Sequence, residues 1–352
     1  MEGIKIYSAM KILFRMKILD NIEKVDNIFS DGNHNAFTDI DLWKGRYYVV
    51  FRSSDSHASP HEGVHNMNLS SGHITLMDSS DCRNWSSSVV FDTRWDDRDP
   101  KLLATKDRLY IFATCLHGEG YREASQETLA SYTEDGCNWS DPVSAYRYNY
   151  GFWKPKKYKG AYYVAADVDD LSPGISLQHK GRVELLRSED GLHWQSVSVI
   201  STGNSCTETA IVFLKDALLV AIIRQKMPMG VLISEPPYKD WTQMDGDSHF
   251  GIQGPAAELV GDTVLVSCRV RKSMFPDDQP GVARTAIFTL NVETGALQWQ
   301  MNLPTQWGGD VSYAGILPVG DDRVLISYYD GEPYQPDVPQ RSDIMLATIV
   351  MS

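Results

Sequence analysis

Basic residues are in short supply in this 352-residue chain: 33 Lys and Arg stand against 46 Asp and Glu, a formal charge of −13. Gripping a polyanion takes a basic surface, so nucleic acid is excluded as a partner, whereas a small anion held by a few local arginines is not. Cysteine is sparse as well. Cys82, Cys115, Cys137, Cys206 and Cys268 are odd in number, far apart and without a C-x-x-C pair. They suggest neither a disulfide framework nor a zinc site, and a reducing compartment fits them. No other metal-ligand spacing is visible, so neither metal nor cofactor is expected. No apolar run approaches the roughly 18 residues of a membrane span. Near the start, Lys5, Lys11, Arg15 and Lys17 cut every apolar stretch below signal-peptide length, which leads to the expectation of a soluble cytoplasmic protein without a membrane partner. Oligomeric state is not legible.

What is present is an ordinary globular composition, 42% hydrophobic and 11% aromatic with 26 Gly and 16 Pro, long enough to bury a sizeable core. The length alone allows two domains or one large β architecture. Repeats decide between them. Ser79-Ser-Asp81-Cys-Arg-Asn-Trp85, Thr133-Glu-Asp135-Gly-Cys-Asn-Trp139 and Ser188-Glu-Asp190-Gly-Leu-His-Trp194 share the pattern [ST]-x-D-x-x-x-W, and looser relatives end at Trp241 and Trp299. The tryptophans recur at intervals of 54, 55, 47 and 58. In such a turn Asp accepts hydrogen bonds from amides further on, Gly tolerates positive φ, and Trp packs back between sheets. Six short β-rich runs alternate with these turns: Tyr47–Phe51, Leu109–Phe112, Tyr162–Ala165, Leu218–Ile223, Val264–Ser267 and Val324–Ser327. The grammar predicts a single all-β domain over 1–352, a six-bladed β-propeller. Its last sheet is one strand short, and an N-terminal strand near Ile12-Leu-Phe14 is expected to complete it and close the ring.

Aligning the six runs puts Arg52, Thr114, Asp167, Arg224, Arg269 and Tyr329 at one register, a ring round one mouth of the central channel. Three are arginines. Guanidinium pairs bidentately with a carboxylate and stays charged at every relevant pH, so a carboxylate is the natural guest.

The Asp-turns resemble the Asp-boxes (BNR repeats) of the sialidase, or neuraminidase, superfamily, over nearly the whole chain. The resemblance implies an arginine triad on the carboxylate of a sialic acid or related nonulosonate, a tyrosine nucleophile, a glutamate that activates it, and an aspartate acid/base. Glu208 in Cys206-Thr-Glu208-Thr precedes Arg224 by 16 residues, as the activating glutamate precedes the second arginine in that superfamily. Arg269 resembles the third arginine, with Arg271 its near rival, and Gly309-Asp310-Val-Ser-Tyr313-Ala-Gly315 resembles the nucleophile strand with Tyr313 as the tyrosine. The first arginine is missing from Asn33-His34-Asn35-Ala36-Phe37-Thr38-Asp39, and Arg52 or Arg98 is the substitute expected. For the proton donor, Asp55 and His57 follow the second strand of blade one. Asp99, in Trp95-Asp-Asp-Arg98-Asp99-Pro100-Lys101, is expected to be depressed in pKa by Arg98 and Lys101 and so to act as base or orienting group. His34, Asp310 and Trp153 are further sugar-contact candidates, with His117, Lys154, Gln253, Tyr328 and Tyr329 around them. The expected function is exo-hydrolysis of a terminal acidic sugar from a carbohydrate substrate. An inverting hydrolase using two carboxylates, a polysaccharide lyase on uronates and a non-catalytic carbohydrate-binding propeller remain open at this point.

Overall fold

The structure, a computed structural model, describes residues 19–57, 71–93, 95–117, 125–168, 181–203, 205–225, 230–246, 251–271, 282–320, 322–333, 335 and 338–351. No described residue is helical. After β1 (Leu19–Phe29) come β2 (His34–Trp43), β3 (Arg46–Ser54), β4 (His73–Ser79) and β5 (Ser86–Phe91). A second set holds β6 (Asp96–Ala104), β7 (Leu109–His117), β8 (Ser125–Thr133) and β9 (Val143–Ser144). A third holds β10 (Tyr150–Phe152), β11 (Lys156–Tyr158), β12 (Ala161–Val168), β13 (Arg182–Ser188) and β14 (Trp194–Thr202). β15 (Thr209–Phe213), β16 (Leu219–Ile223), β17 (Gly230–Ser234) and β18 (Thr242–Gln243) form the next sheet. β19 (Gln253–Val260), β20 (Thr263–Val270), β21 (Arg284–Asn291) and β22 (Ala296–Asn302) form another. β23 (Asp310–Val319), β24 (Arg323–Gly331) and β25 (Ser342–Met351) end the chain.

The arrangement is an all-β propeller. Where six separate blades are expected, the hydrogen bonding gives four sheets of four or five strands and one of eight. The eight-stranded sheet joins β23–β24–β25 to β2–β3–β4–β5. The two halves meet at one parallel pair, His34 with Ser342. An N-terminal strand does complete the last sheet, but it is β1, antiparallel to β25. Ile12–Phe14, the segment expected there, lies outside the described residues.

Burial falls outward along each sheet, which explains the sequence pattern. The second strands carry the largely buried apolar runs, as in the wholly buried Leu219–Ile223, while the fourth strands are short or exposed, as in Ser86–Phe91. An outer strand meets solvent on one face and needs no apolar run.

The repeated Asp-turns are built as their residues dictate. Asp81 Oδ1 accepts the amides of Arg83 and Asn84, both at 2.9 Å, and Asp135 Oδ1 those of Cys137 and Asn138 at 2.8 Å. These donors, with the Asn84 and Asn138 side chains, hold both carboxyls well below their usual range. Asp190 repeats the pattern with Leu192 and His193. Gly136 and Gly191 both take φ +86°, open to glycine at little cost. Trp194 packs edge-on to Phe112 and Phe152 and so joins two sheets. Trp299 departs from the expected packing: it is 44% exposed, its indole N–H turned to Asn302.

Candidate functional site

The inner strands share one irregularity. In β2, β6, β19 and β23 the pairing register slips by one residue, between Ala36 and Asp39, Arg98 and Lys101, Gln253 and Ala256, and Ser312 and Gly315. Inside each slip sits a residue with positive φ: Phe37 (60°), Asp99 (50°), Gly254 (58°) and Tyr313 (45°). A β-bulge re-aims a side chain, and left-handed non-glycine residues persist only where surrounding structure enforces them. Thr38 shows such enforcement, its hydroxyl donating to the Tyr313 carbonyl at 3.1 Å. In the third sheet the inner strand breaks instead, between β10 and β11, at Trp153–Pro155.

The ring register follows from these strands. Arg52 pairs with Ala36, Thr114 with Arg98, Arg269 with Gln253 and Tyr329 with Ser312, each opposite the residue that precedes a bulge. Arg224 lies opposite Glu208, its amide donating to the Glu208 carbonyl at 3.1 Å. Asp167 is one position off. It pairs with Gly151, and Ala166 opposite Phe152 holds the equivalent place.

Two of the register-matched arginines converge on one phenol. Tyr313 Oη donates to Glu208 Oε1 at 2.8 Å and receives Arg224 Nη1 at 3.2 Å and Arg269 Nη2 at 3.3 Å. Glu208 also pairs with Arg224 and accepts the Gly254 amide at 2.7 Å. The Tyr313 ring packs edge-on to Phe37, 5.1 Å between centroids, under the Arg269 guanidinium at 4.8 Å. Burial, then the Glu208 charge, pushes the Tyr313 hydroxyl well above its ordinary value, against Arg269 and Arg224, which lower it. Tyr313 is thus a neutral phenol with a carboxylate at its proton.

Asp310 anchors the other half of the site. Its Oδ1 accepts Arg269 Nη1 at 2.5 Å and Tyr329 Oη at 3.0 Å, and its Oδ2 faces His34 Nε2 at 3.0 Å and His57 Nδ1 at 2.6 Å. Burial raises the carboxyl, but His57, the His34 and His57 hydrogen bonds and Arg269 together hold it well below the carboxylate range. Burial also drives His34 down to about 4, so it is neutral at pH 7. His34, His57 and Asp310 form the one metal-like cluster among the described residues. Its geometry fits hydrogen bonds better. Tetrahedral ligand atoms about 2.0–2.1 Å from zinc stand roughly 3.3 Å apart, whereas His57 Nδ1 and Asp310 Oδ2 are 2.6 Å apart.

Other expected residues fall elsewhere. Arg52 does not join Arg224 and Arg269. It is fully buried, and a carboxylate from the next sheet, Asp96, takes its Nε at 2.9 Å while the Ser56 carbonyl takes its Nη1 at 2.9 Å. Arg98 lies over the Phe37 ring at 5.1 Å and donates to the His57 carbonyl at 3.2 Å, so a phenyl ring with an arginine above it stands where β2 brings no arginine. Asp99 reverses its expected shift: burial outweighs Arg98 and Lys101 and raises its carboxyl. Trp153 is buried, its indole donating to the Pro255 carbonyl at 2.7 Å, which makes it packing under the site and not a face offered to a sugar. Asp55 follows β3, its carbonyl accepting the Gln340 amide at 2.8 Å. His117 stands near Glu127 at 3.4 Å. Arg271, half-exposed, shares Gln253 Oε1 with Arg269, at 3.2 and 2.9 Å, and stands 4.0 Å from Asp310.

Sequence reasoning passed over Phe37, Asp96 and Gly254. A usable signal existed for the bulges: proline directly follows Asp99 and Gly254, and proline inside a sheet is found at edges and bulges. At Gly254 a Cβ would stand 2.7 Å from the Tyr313 ring. Gly254→Ala is therefore expected to push that ring off Glu208 and to lower stability by about 1–3 kcal/mol. Urea melts check it; an unchanged midpoint would show that the ring does not need this gap.

No family model matches the chain, and no curated protein matches it in sequence. Solved structures do match in fold. A protein of unknown function from Dyadobacter fermentans superposes with a TM-score of 0.73 at 19% identity, over 94% of this chain and 99% of that one. Trypanosoma rangeli sialidase in complex with the inhibitor DANA gives 0.66 at 12% identity over 95% of this chain, which spans only 58% of the trypanosomal protein. A leech intramolecular trans-sialidase gives 0.61 at 12% identity, with 92% and 70% covered. The fold is sialidase-like.

Proposed function

We propose that this chain is a sialidase-like, retaining exo-glycoside hydrolase acting on a terminal acidic sugar, a sialic acid or related nonulosonate. In this reading the eight-stranded sheet counts as two blades of a six-bladed ring, and the Asp-turns are Asp-boxes. The single observation that carries the proposal is the Tyr313–Glu208 hydrogen bond of 2.8 Å, with Arg224 and Arg269 on the same phenol. A phenol is a weak nucleophile until a base takes its proton, and Glu208 is placed to take it. As the oxocarbenium-like transition state forms, Tyr313 Oη bonds to the anomeric carbon and its proton passes to Glu208. Water then releases the sugar with net retention.

A neutral nucleophile suits an anionic sugar, since no phenolate repels the substrate carboxylate. Arg224, Arg269 and Arg271 are the guanidinium groups nearest that carboxylate in this scheme. Arg271 supports it most directly: it is half-exposed, and its hydrogen bond goes to the neutral Gln253 while the Asp310 carboxylate stands 4.0 Å away. Phe37 in place of a blade-one arginine supports a carboxylate seated toward Arg271.

The test is turnover of an aryl α-sialoside, with the product anomer read by NMR and a 2,3-difluoro sialic acid used to trap the intermediate. The expected result is retention and a covalent adduct on the Tyr313 peptide by mass spectrometry. Inversion, an unsaturated product absorbing in the near ultraviolet, or binding without turnover would each overturn it in favour of an inverting hydrolase, a lyase or a binding propeller.

A further inference from the structure

We infer that the group which protonates the leaving oxygen, and later deprotonates water, is the His57 imidazole positioned by Asp310, in place of a carboxylic acid; this rests on the glycosidase reading above. An ionised carboxylate only accepts hydrogen bonds, so each imidazole nitrogen that faces Asp310 Oδ2 carries a hydrogen. That fixes His34 as Nε2–H and His57 as Nδ1–H, at 3.0 and 2.6 Å. The proton that His57 can exchange is therefore the one on Nε2.

Of the two imidazoles only His57 reaches the mouth of the site: its side chain is 31% exposed and that of His34 is 0% exposed. The His57 ring packs edge-on to Phe37 at 5.6 Å, and Phe37 packs edge-on to Tyr313 at 5.1 Å. Imidazole and nucleophile thus flank one apolar ring. The backbone of His57 is pinned from two sides, its amide donating to Gln340 Oε1 at 3.0 Å and its carbonyl accepting Arg98 Nη2 at 3.2 Å. Asp310 is itself immobilised by Arg269 and Tyr329 on its other oxygen. This is the arrangement by which a buried carboxylate orients an imidazole and stabilises its cation. An imidazolium facing Asp310 gains from that anion, and Asp99, whose carboxyl burial raises, is its rival.

The balance closes. In the first half-reaction the C–O bond to the aglycone breaks, its oxygen takes the Nε2 proton, Tyr313 Oη bonds to the anomeric carbon and Glu208 takes the phenol proton. In the second, neutral His57 Nε2 removes a proton from water, the water oxygen bonds to the anomeric carbon, the C–OTyr bond breaks and Glu208 returns its proton to Tyr313. No oxidant, reductant or further reactant is required. His57 is a catalytic residue in this scheme and Asp310 a positioning residue.

The experiment compares two glycosides of the same acidic sugar, one with a 4-nitrophenol aglycone and one with a sugar aglycone, on the full chain and on His57→Ala, His57→Gln and Asp99→Asn. A 4-nitrophenolate leaves without protonation; a sugar alkoxide does not. His57→Ala and His57→Gln are expected to lose about 10²-fold or more in kcat/KM on the sugar aglycone and far less on the nitrophenyl glycoside, and added azide is expected to give a glycosyl azide of retained configuration. A purely structural role for His57 would lower both substrates equally. Equal losses, no loss, or the aglycone split appearing in Asp99→Asn instead would overturn the assignment while leaving the tyrosine mechanism standing. Absence of turnover of both glycosides by the unaltered chain would overturn the glycosidase reading and this assignment with it.

Discussion

Tyr313→Phe is expected to lower kcat on an acidic glycoside by about 10³-fold or more while leaving the fold intact. The substitution deletes one oxygen. The ring that remains keeps its contacts with Phe37 at 5.1 Å and Trp153 at 6.0 Å, and Glu208 keeps Arg224 and the Gly254 amide. What disappears is the atom at which Glu208, Arg224 and Arg269 meet. Glu208→Gln is expected to fall by about 10² to 10⁴-fold, the range for a positioned proton acceptor, because an amide cannot take the phenol proton. The double variant should be hardly slower than Tyr313→Phe, since the two residues act on one bond. Kinetics on proteins with matched melting temperatures decide it. A kcat within tenfold of the unaltered chain in Tyr313→Phe would remove the nucleophile from the mechanism.

Of the four residues of that argument, Arg224 and Arg269 were legible from the repeating strand register and Glu208 and Tyr313 from the resemblance to the sialidase superfamily, and the structure brings all four within hydrogen-bond reach. Register, however, fixes the height of a Cα and not the partner of its side chain. Arg52 shares the register but is taken by Asp96 from the adjoining sheet, a contact between distant segments that no local pattern encodes. Phe37 and Tyr313 were invisible as bulges because their positive φ is imposed by packing and not by glycine. Asp99 was misjudged because adjacency to Arg98 and Lys101 is visible in a sequence and burial is not. The closing strand was misplaced for the converse reason. Ile12–Phe14 is the more apolar run, whereas β1 carries an apolar residue only at about every third position (Leu19, Ile22, Val25, Ile28), a spacing that does not read as a strand, and its pairing with β25 slips at three points.

The second large effect concerns Arg269, whose loss should cost stability as well as activity. Its guanidinium is nearly inaccessible, and it spends its donors on Asp310 at 2.5 Å, Gln253 at 2.9 Å and the Tyr313 and Tyr329 hydroxyls at 3.3 and 3.5 Å. Arg269→Met keeps much of the volume but leaves the Asp310 carboxylate buried without its cation. Breaking a buried pair from one side costs about 3–5 kcal/mol, and urea melts at pH 7 are expected to show a loss of that size. The pH dependence has a definite sign. Asp310 is held well below its unfolded value, so its contribution is complete above the ordinary carboxyl range and is lost as pH falls through the depressed folded value. In Arg269→Met the carboxyl moves back up, leaving less to lose, so the stability gap between the two proteins should narrow below pH ~4. His34, pushed down to about 4 by burial, acts in both: the unfolded chain takes up its proton below the ordinary histidine value of 6.5, so both proteins lose stability between those two values. A gap that stays constant or widens on acidification would mean that Arg269 supports the fold through packing alone and that the Asp310 charge is held by its two imidazoles and Tyr329.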